Sequence, residues 1–410
     1  MLGPGGPVVP MAGEARLRRR ALGFIILLGL VSLFGDMTYE GARSISGPFL
    51  AALGASGAAV GIVAGLGELF GYTLRLGSGY LADRTRRYWT VTVAGYLLNL
   101  LAVPAMALAG RWEAAGALIL AERTGKAFRT PARDAMLSYA ARQTGAGWGF
   151  GLHEALDQVG AVAGPLVVFG ILGAVGDYRV AFGALLVPAA AALGLLILAR
   201  LLYPRPHELE VEHPHFETAS LPRVFWVYLV AVGLVAAGYA DFALIGYHLE
   251  RTAAVPVSTI PVLYALAMAV DAATALIAGY LFDRVGFRVL VGSALIASPF
   301  APLVFGSNPI AAAIGTVLWG IGLGAQESVM RAAVAGMVSP DRRATAYGIL
   351  NAGYGLMWFA GSAVMGALYD VSLGWLITFS VALELAAVLG FVFAGWGWAS
   401  RPKGSGQPVR

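Results

Sequence analysis

Long apolar segments recur along the whole sequence, and each is long enough to cross a lipid bilayer. A membrane-spanning helix needs about 20 predominantly apolar residues, and changes in hydropathy together with Gly, Pro and charge clusters divide the chain into such segments. Only 12% of the 410 residues are charged, about half the fraction of a soluble domain. We predict twelve helices, at 21–46, 57–81, 89–109, 113–131, 148–174, 179–203, 222–249, 258–281, 288–305, 309–332, 343–369 and 373–397.

The basic residues are sorted by side, which predicts the orientation in the membrane. If both termini are cytoplasmic, the outer segments hold little more than Arg111, Arg179 and Arg251. Since basic residues favour cytoplasmic loops, this orientation is the expected one. The net charge of +5 therefore reflects topology and does not indicate a nucleic-acid partner. We expect a multi-pass protein of a prokaryotic cytoplasmic membrane, surrounded by the lipid bilayer, monomeric by default and without a cofactor or metal ion.

A repeated phrase divides the chain into two halves. The sequence GYLADRTRRYW begins at Gly79, and GYLFDRVGFRV begins at Gly279, each after the second apolar segment of its half. A duplicated six-helix unit with a central cavity is typical of transporters that rock around one site, although a static scaffold could also arise by duplication. The predicted parts are an N-terminal half (1–203), a cytoplasmic linker (204–221), a C-terminal half (222–397) and a cytoplasmic tail (398–410).

The first phrase resembles the loop signature of the major facilitator superfamily. The matching residues are Gly79, Leu81, Asp83, Arg84, Arg86 and Arg87, with a weaker copy at Gly279, Asp283, Arg284, Gly286 and Arg288. Thr85 and Arg86 occupy the place where the family has its central glycine. The resemblance implies an all-α membrane protein of twelve transmembrane helices in two pseudo-symmetric halves around a central cavity.

The fifth predicted helix is similar to a motif associated with antiporters in that superfamily. The residues that match are Gly151, Gly160, Gly164 and Pro165, while Val168 and Phe169 replace the usual closing glycines. The resemblance implies helix packing against the eighth helix across the interface between the halves, and a drug-efflux-like antiporter subgroup. Close packing of any neighbouring helix would explain the same glycines.

Asp83 lies beside an arginine cluster at a predicted helix end, and we interpret this loop as a conformational latch. Arg133, at the inner end of the fourth helix, is the expected partner, because ion pairs that form and break can bias a two-state equilibrium. In the latch we place Gly79, Asp83, Arg84, Arg87, Arg133, Asp283 and Arg284. The alternative is that the arginines only set the topology.

Ionisable residues within the predicted helices indicate proton coupling. An ionised side chain at the bilayer centre costs about 3 kcal/mol on insertion scales, and burial favours the protonated form of a carboxyl group. Structural ion pairing is the alternative, above all for Arg43, Arg75 and Arg331. Metal binding by His153 and Glu154 is disfavoured because adjacent helical residues point about 100° apart. The candidate proton carriers are Asp36, Glu40, Glu68, Glu122 and Asp157.

Aromatic and polar residues on helices that would face the cavity are candidate substrate contacts, although aromatic residues also face lipid. We expect these to be Tyr39, Arg43, Tyr72, Arg123, Tyr239, Asp241, Gln326, Asn351, Tyr354 and Trp358. Carboxylates beside aromatic faces suit small amphipathic or cationic organic substrates. The sequence therefore predicts an alternating-access transporter that exports such a substrate in exchange for protons. The alternative is a symporter or uptake carrier for an organic anion, with Arg43, Arg75 or Arg123 as clamp. No motif of an enzyme is present.

Overall fold

The computed structural model describes residues 12–144, 146–204, 221–338 and 342–399, and in these ranges the chain is helical without any strand. The predicted linker (204–221) and tail (398–410) lie almost entirely outside the described residues, so the division of the chain at these positions stays a prediction. A short 3-10 turn follows α3 at Met106–Leu108. The helices are α1 (Ala12–Ala52), α2 (Gly57–Thr85), α3 (Tyr88–Ala105), α4 (Trp112–Thr144), α5 (Ala146–Val175), α6 (Tyr178–Ala184), α7 (Leu186–Leu202), α8 (Arg223–Gly238), α9 (Phe242–Thr252), α10 (Thr259–Val285), α11 (Arg288–Ala297), α12 (Phe300–Val304), α13 (Pro309–Met337), α14 (Arg343–Val371) and α15 (Leu373–Ala399).

Three membrane-crossing units are broken into two consecutive helices: α6 with α7, α8 with α9, and α11 with α12. Counting each pair as one unit gives the twelve predicted helices in the predicted order, and the all-α fold class is confirmed. In the described ranges, nine units are long and apolar enough to cross a membrane, judged by length and composition alone. The unit formed by α4 is not among them, because charged residues interrupt its apolar sequence.

The two halves meet mainly along three pairs of helices. Within the first half α1 packs against α5 and α7, and α4 packs against α2 and α3. In the second half α10 packs against α13, and α8 packs against α14 and α15. Across the halves α2 packs against α14, α1 against α9, and α5 against α10. The cavity described below lies between these three contacts.

The halves are tightly closed at the end of the molecule that carries the α1–α2 loop. A Cβ atom on Gly47 would collide with the carbonyl of Ala243 on α9, and one on Gly61 would collide with the carbonyl of Ser362 on α14. Small residues let helix backbones approach in this way. We call these contacts the closed seam, and we call the opposite end, which carries the α2–α3 loop, the loop end.

A carboxylate of the second half caps a helix of the first half at the closed seam. Asp370 on α14 accepts hydrogen bonds from the backbone N–H groups of Gly57 (2.8 Å) and Ala58 (2.9 Å) at the start of α2. Ser56 accepts from the next free donor, Ala59 N–H, at 3.1 Å. A negative charge at a helix N-terminus is favourable, because it satisfies free donors and opposes the helix dipole. Asp370 therefore fastens the two halves together at this end.

The glycines of the fifth predicted helix do not have the partner that the resemblance implies. The helix α5 does pack against α10, but Gly160 and Gly164 face α1, where a Cβ atom would collide with the carbonyls of Leu33 and Met37. Gly151 has open space around its Cα atom. Gly160 and Gly164 therefore serve packing within the first half and not across the halves.

Replacement of Asp370 by Ala is expected to loosen the closed seam. The chain contains no cysteine, so Ser362→Cys, at a position that is 1% exposed in the seam, gives a clean reporter. We expect Asp370→Ala to increase the labelling rate of this cysteine by a water-soluble maleimide several-fold. Asp177→Ala is the matched control, since Asp177 caps α6 within one half. Equal labelling rates in the two variants would contradict the fastening role.

Candidate functional site

A cavity of about 600 Å³ lies between the halves on the side of the loop end. Exposed side chains such as Phe150 and Leu276 lie on its wall, and the closed seam shuts the opposite end. The molecule is thus open at one end and closed at the other. The charged and polar lining residues are Asp36, Tyr72, Arg75, Lys126, Arg129, Thr130, Arg133, Asp134, His153, Glu154, Asp157, Gln158, Gln326, Glu327, Ser328, Asn351 and Tyr354.

Glu68 joins two buried arginines between the cavity and the closed seam. Its Oε1 atom lies 3.0 Å from Arg43 and 3.3 Å from Arg123. Arg43 also pairs with Asp241 of the second half at 3.2 Å. Asp241 occupies the break between α8 and α9, where its other oxygen caps α9 by accepting from the Ala243 N–H group at 2.9 Å. This ion pair connects the halves through groups that have little access to solvent.

A row of charged residues on α4 supplies most partners for the carboxylates of α1. Arg129 lies 3.3 Å from Asp36, and Lys126 lies 3.9 Å from Glu40. Lys126 and Arg129 were not among the residues predicted from the sequence. Their spacing of three residues from Arg123 and from each other places all three on neighbouring positions of one helix face, and this signal could have identified them.

Tyrosine hydroxyl groups complete the network. Tyr39 accepts a hydrogen bond from Arg123 at 2.8 Å, and the Lys126 ammonium group lies 3.5 Å from the centre of the Tyr39 ring. Tyr264 on α10 donates a short hydrogen bond to Glu40, which is a second polar link between the halves. Helix α1 is therefore joined to the second half at two places: Arg43 pairs with Asp241 at the start of α9, and Glu40 accepts from Tyr264 on α10.

Two carboxyl groups on neighbouring helices face the same cavity. Asp157 on α5 and Asp36 on α1 both line it and are near enough to interact with each other. The Oδ1 atom of Asp157 is buried and has no hydrogen-bond partner among the described residues. Asp36 is held by Arg129, whereas Asp157 forms no ion pair within 4 Å among the residues that the structure describes. This pair can bind a proton or another cation.

The predicted substrate residues divide into three sets. Tyr72, Gln326, Asn351 and Tyr354 line the cavity, and the Tyr354 hydroxyl donates to Gln326 at 2.9 Å. A second set lies in the buried network below the cavity: Tyr39, Arg43, Arg123 and Asp241. The third set lies in an aromatic cluster of the second half, where Tyr239 and Trp358 pack together next to Trp319.

The proton-carrier candidates also differ in position. Asp36 and Asp157 line the cavity, whereas Glu40 and Glu68 are buried in the network. Glu122 accepts a hydrogen bond from Asn99 at 2.6 Å and lies 3.4 Å from Arg123. In the described ranges no group of three or more His, Asp or Glu side chains is arranged to hold a metal ion.

The expected latch pair between Asp83 and Arg133 is not formed in this structure. Asp83 accepts a hydrogen bond from Tyr88 at 3.0 Å. Arg133 donates to Asp134 and to Ser32, each at 2.9 Å. Arg84 and Arg284 lie over the rings of Tyr80 and Tyr280, four residues earlier on their own helices. A Cβ atom on Gly79 would lie 3.4 Å from the side chain of Pro131. Asp283 and Arg87 are exposed.

Twelve membrane-crossing units in two packed halves, with a charged cavity between them, are typical of a helical membrane transporter. The comparison with family models agrees with this class. The model described as Major Facilitator Superfamily matches residues 25–286 and 242–410. The chain belongs to this family, as its loop signature indicates.

Relatives and solved structures resemble the chain over most of its length. An uncharacterized protein of Mycobacterium tuberculosis, Rv2265, is 44% identical over 92% of this chain and 94% of its own. An uncharacterized MFS-type transporter of Methanocaldococcus jannaschii, MJ1317, is 26% identical over 85% of this chain and 89% of its own. The crystal structure of the peptide transporter POT in complex with sulfate has a TM-score of 0.71 at 14% identity, covering 91% of this chain and 94% of that one. At this identity the structural likeness shows the fold alone.

Replacement of Glu68 by Gln is expected to destabilise the protein. Removing one charge from a buried ion pair costs about 3 kcal/mol of unfolding free energy, because the partner remains buried without compensation. Glu68 is 7% exposed and serves two arginines. We expect the midpoint of thermal unfolding in detergent to fall by several degrees, whereas Glu113→Gln, at an exposed position in the first turn of α4, leaves it unchanged. Equal midpoints for the two variants would show that the network does not stabilise the fold.

Proposed function

We propose that the protein is a secondary active transporter that works by alternating access and exchanges protons for a small amphipathic or cationic organic molecule. The observation that carries the proposal is the pair formed by Asp36 and Asp157 on the cavity wall. Two adjacent carboxylates away from bulk water repel each other, so the pair favours states in which it holds a proton or a cation. A proton and a cationic substrate would therefore compete for the same place.

Competition of this kind gives exchange of a proton for the substrate as the cavity opens first to one side of the membrane and then to the other. When the cavity opens to the side of low proton concentration, the pair releases its proton and can accept the substrate cation. When it opens to the other side, protonation displaces the substrate. Coupling requires only that the empty, doubly ionised pair disfavours the conformational change, since a ligand shifts a two-state equilibrium by its differential affinity.

The arginine distribution of the sequence supports a cytoplasmic position of the loop end. The cavity in this structure would then be open to the cytoplasm, which is where an exporter loads its substrate. Tyr72 and Tyr354 pack edge to face on the cavity wall with ring centres 5.1 Å apart, and such faces suit an amphipathic ligand.

Transport of an organic anion is the second candidate. Arg43 and Arg123 are already held by carboxylates, so neither is free to clamp an anion in this conformation. Arg75 favours the anion, because it lines the cavity and has no ion-pair partner within 4 Å among the described residues. A carrier for anions would depend on Arg75 and tolerate the loss of Asp157.

Proton exchange is tested in proteoliposomes with an imposed pH gradient and a pH-sensitive dye inside. We expect aromatic amines to cause proton movement with the wild-type protein, and we expect Asp36→Asn and Asp157→Asn to reduce it at least about tenfold, as the loss of one charge-assisted contact of about 1.4 kcal/mol or more implies. Glu113→Gln is the matched control outside the cavity. Proton movement that survives in both aspartate variants would refute the assignment of the pair, and anion uptake lost in Arg75→Gln alone would favour the second candidate.

We further propose that the latch pair of Asp83 and Arg133 forms in the conformation that is closed at the loop end. Its absence in the open structure agrees with this role. Asp83→Asn should therefore increase the population of the open conformation. A Gly151→Cys reporter, at an open position on the cavity wall, should be labelled several-fold faster in the Asp83→Asn background than with Glu113→Gln. An unchanged labelling rate would leave only the topological role for this loop.

A further inference from the structure

The cavity wall carries one acidic and one basic side chain that form no ion pair within 4 Å among the described residues. One wall, on α1 and α5, carries Asp157 next to the neutral ion pair of Asp36 and Arg129. The other wall, where α2 packs against α14, carries Arg75. Helices α1 and α4 lie between the two walls, since α1 contacts α5 and α4 contacts α2.

Arg75 is half-buried and forms no ion pair with a described carboxylate. Its guanidinium carbon lies 5.2 Å from the centre of the Tyr72 ring, and its Nε atom is buried without a hydrogen-bond partner. Among the described residues no carboxylate lies within the 4 Å of an ion pair with it. Partly buried cations of this kind are costly unless a partner neutralises them. A second polar group, Asn351, lines the same cavity from α14.

We propose that the transported molecule is dipolar: it carries a cationic group that pairs with Asp157 and an acidic group that pairs with Arg75. This inference rests on the proposed function and names the substrate class of the same cavity. One ligand would then remove both uncompensated charges, and the fork of an arginine binds a carboxylate or a phosphate through two parallel hydrogen bonds. The volume of about 600 Å³ is within the range of cavities that hold small organic ligands.

A dipolar substrate would bridge Arg75 and Asp157, which form no ion pair with each other in this structure. Arg75 and Asp157 are fixed to helices that do not pack together, so a direct ion pair would require the cavity to collapse. A ligand that spans the two groups replaces this missing ion pair. Its binding would draw α2 and α5 toward a common position, and it would therefore favour closure of the loop end more than a ligand with one charge does.

Matched probes test the substrate class without knowledge of the natural substrate. ω-Aminoalkanoates with four to eight carbons carry both charges at increasing separation, and the alkylamines and alkanoates of equal length carry one charge each. Binding to the purified wild-type protein in detergent is measured as the ligand-dependent rise in the midpoint of thermal unfolding. We expect at least one aminoalkanoate to bind about tenfold more tightly than its matched amine and acid, as one additional charge-assisted hydrogen bond implies.

Two variants assign the two groups. Arg75→Gln should abolish the advantage of the aminoalkanoate over the amine and leave binding of the amine itself, whereas Arg75→Lys should restore part of the advantage. Asp157→Asn should abolish the advantage over the alkanoate instead. The proposal is overturned if the amines bind as tightly as the aminoalkanoates, if Arg75→Gln leaves the advantage intact, or if no probe of the series binds. A wild-type protein that shows the advantage but moves no protons would refute the proposed exchange and leave the dipolar site standing.

Discussion

The structure depends on a carboxylate, Glu68, that lies between two arginines. Without it Arg43 and Arg123 would face each other across a space with little water, where repulsion between like charges is weakly screened. With it, Arg43 can also reach Asp241 of the second half. The buried ion pair of Arg43 and Asp241 therefore depends on the position of one half relative to the other. Any rocking motion must break this pair or carry it along, and both alternatives change the energy of the whole network.

The two ends of the molecule are held by different forces. At the closed seam, backbones touch at Gly47 and Gly61, and a fixed cap from Asp370 adds two hydrogen bonds to the start of α2. Such contacts depend on distances of tenths of an ångström and vanish together once the helices separate. At the loop end the available groups are long charged side chains, whose interactions extend over several ångströms. The contacts at the closed seam are therefore short-ranged, whereas the charged groups at the loop end act over longer distances.

The sequence was sufficient for the fold and insufficient for the partners within it. Apolar length and the duplicated phrase at Gly79 and Gly279 predicted twelve helices in two halves, because both signals are local. The pairing of Asp36 with Arg129 and the cap from Asp370 join residues that are far apart in the chain, and no local pattern reports them. Lys126 was not predicted for another reason: the sequence shows a surplus of carboxylates in the helices but not which base accompanies each one, although a buried carboxylate is stable mainly where a base or a proton accompanies it.

The surplus of charge on the cavity wall ties stability to transport. A network built only for stability would pair every buried charge, since an unpaired one costs several kcal/mol. Glu68, near the closed seam, is paired with Arg43 and Arg123, whereas Arg75 and Asp157 on the cavity wall form no ion pair within 4 Å among the described residues. A ligand that compensates both charges recovers this free energy only while the two walls are close enough to bind it together. In the proposed mechanism this free energy favours closure of the loop end around a bound ligand, so that closure depends on occupancy of the cavity.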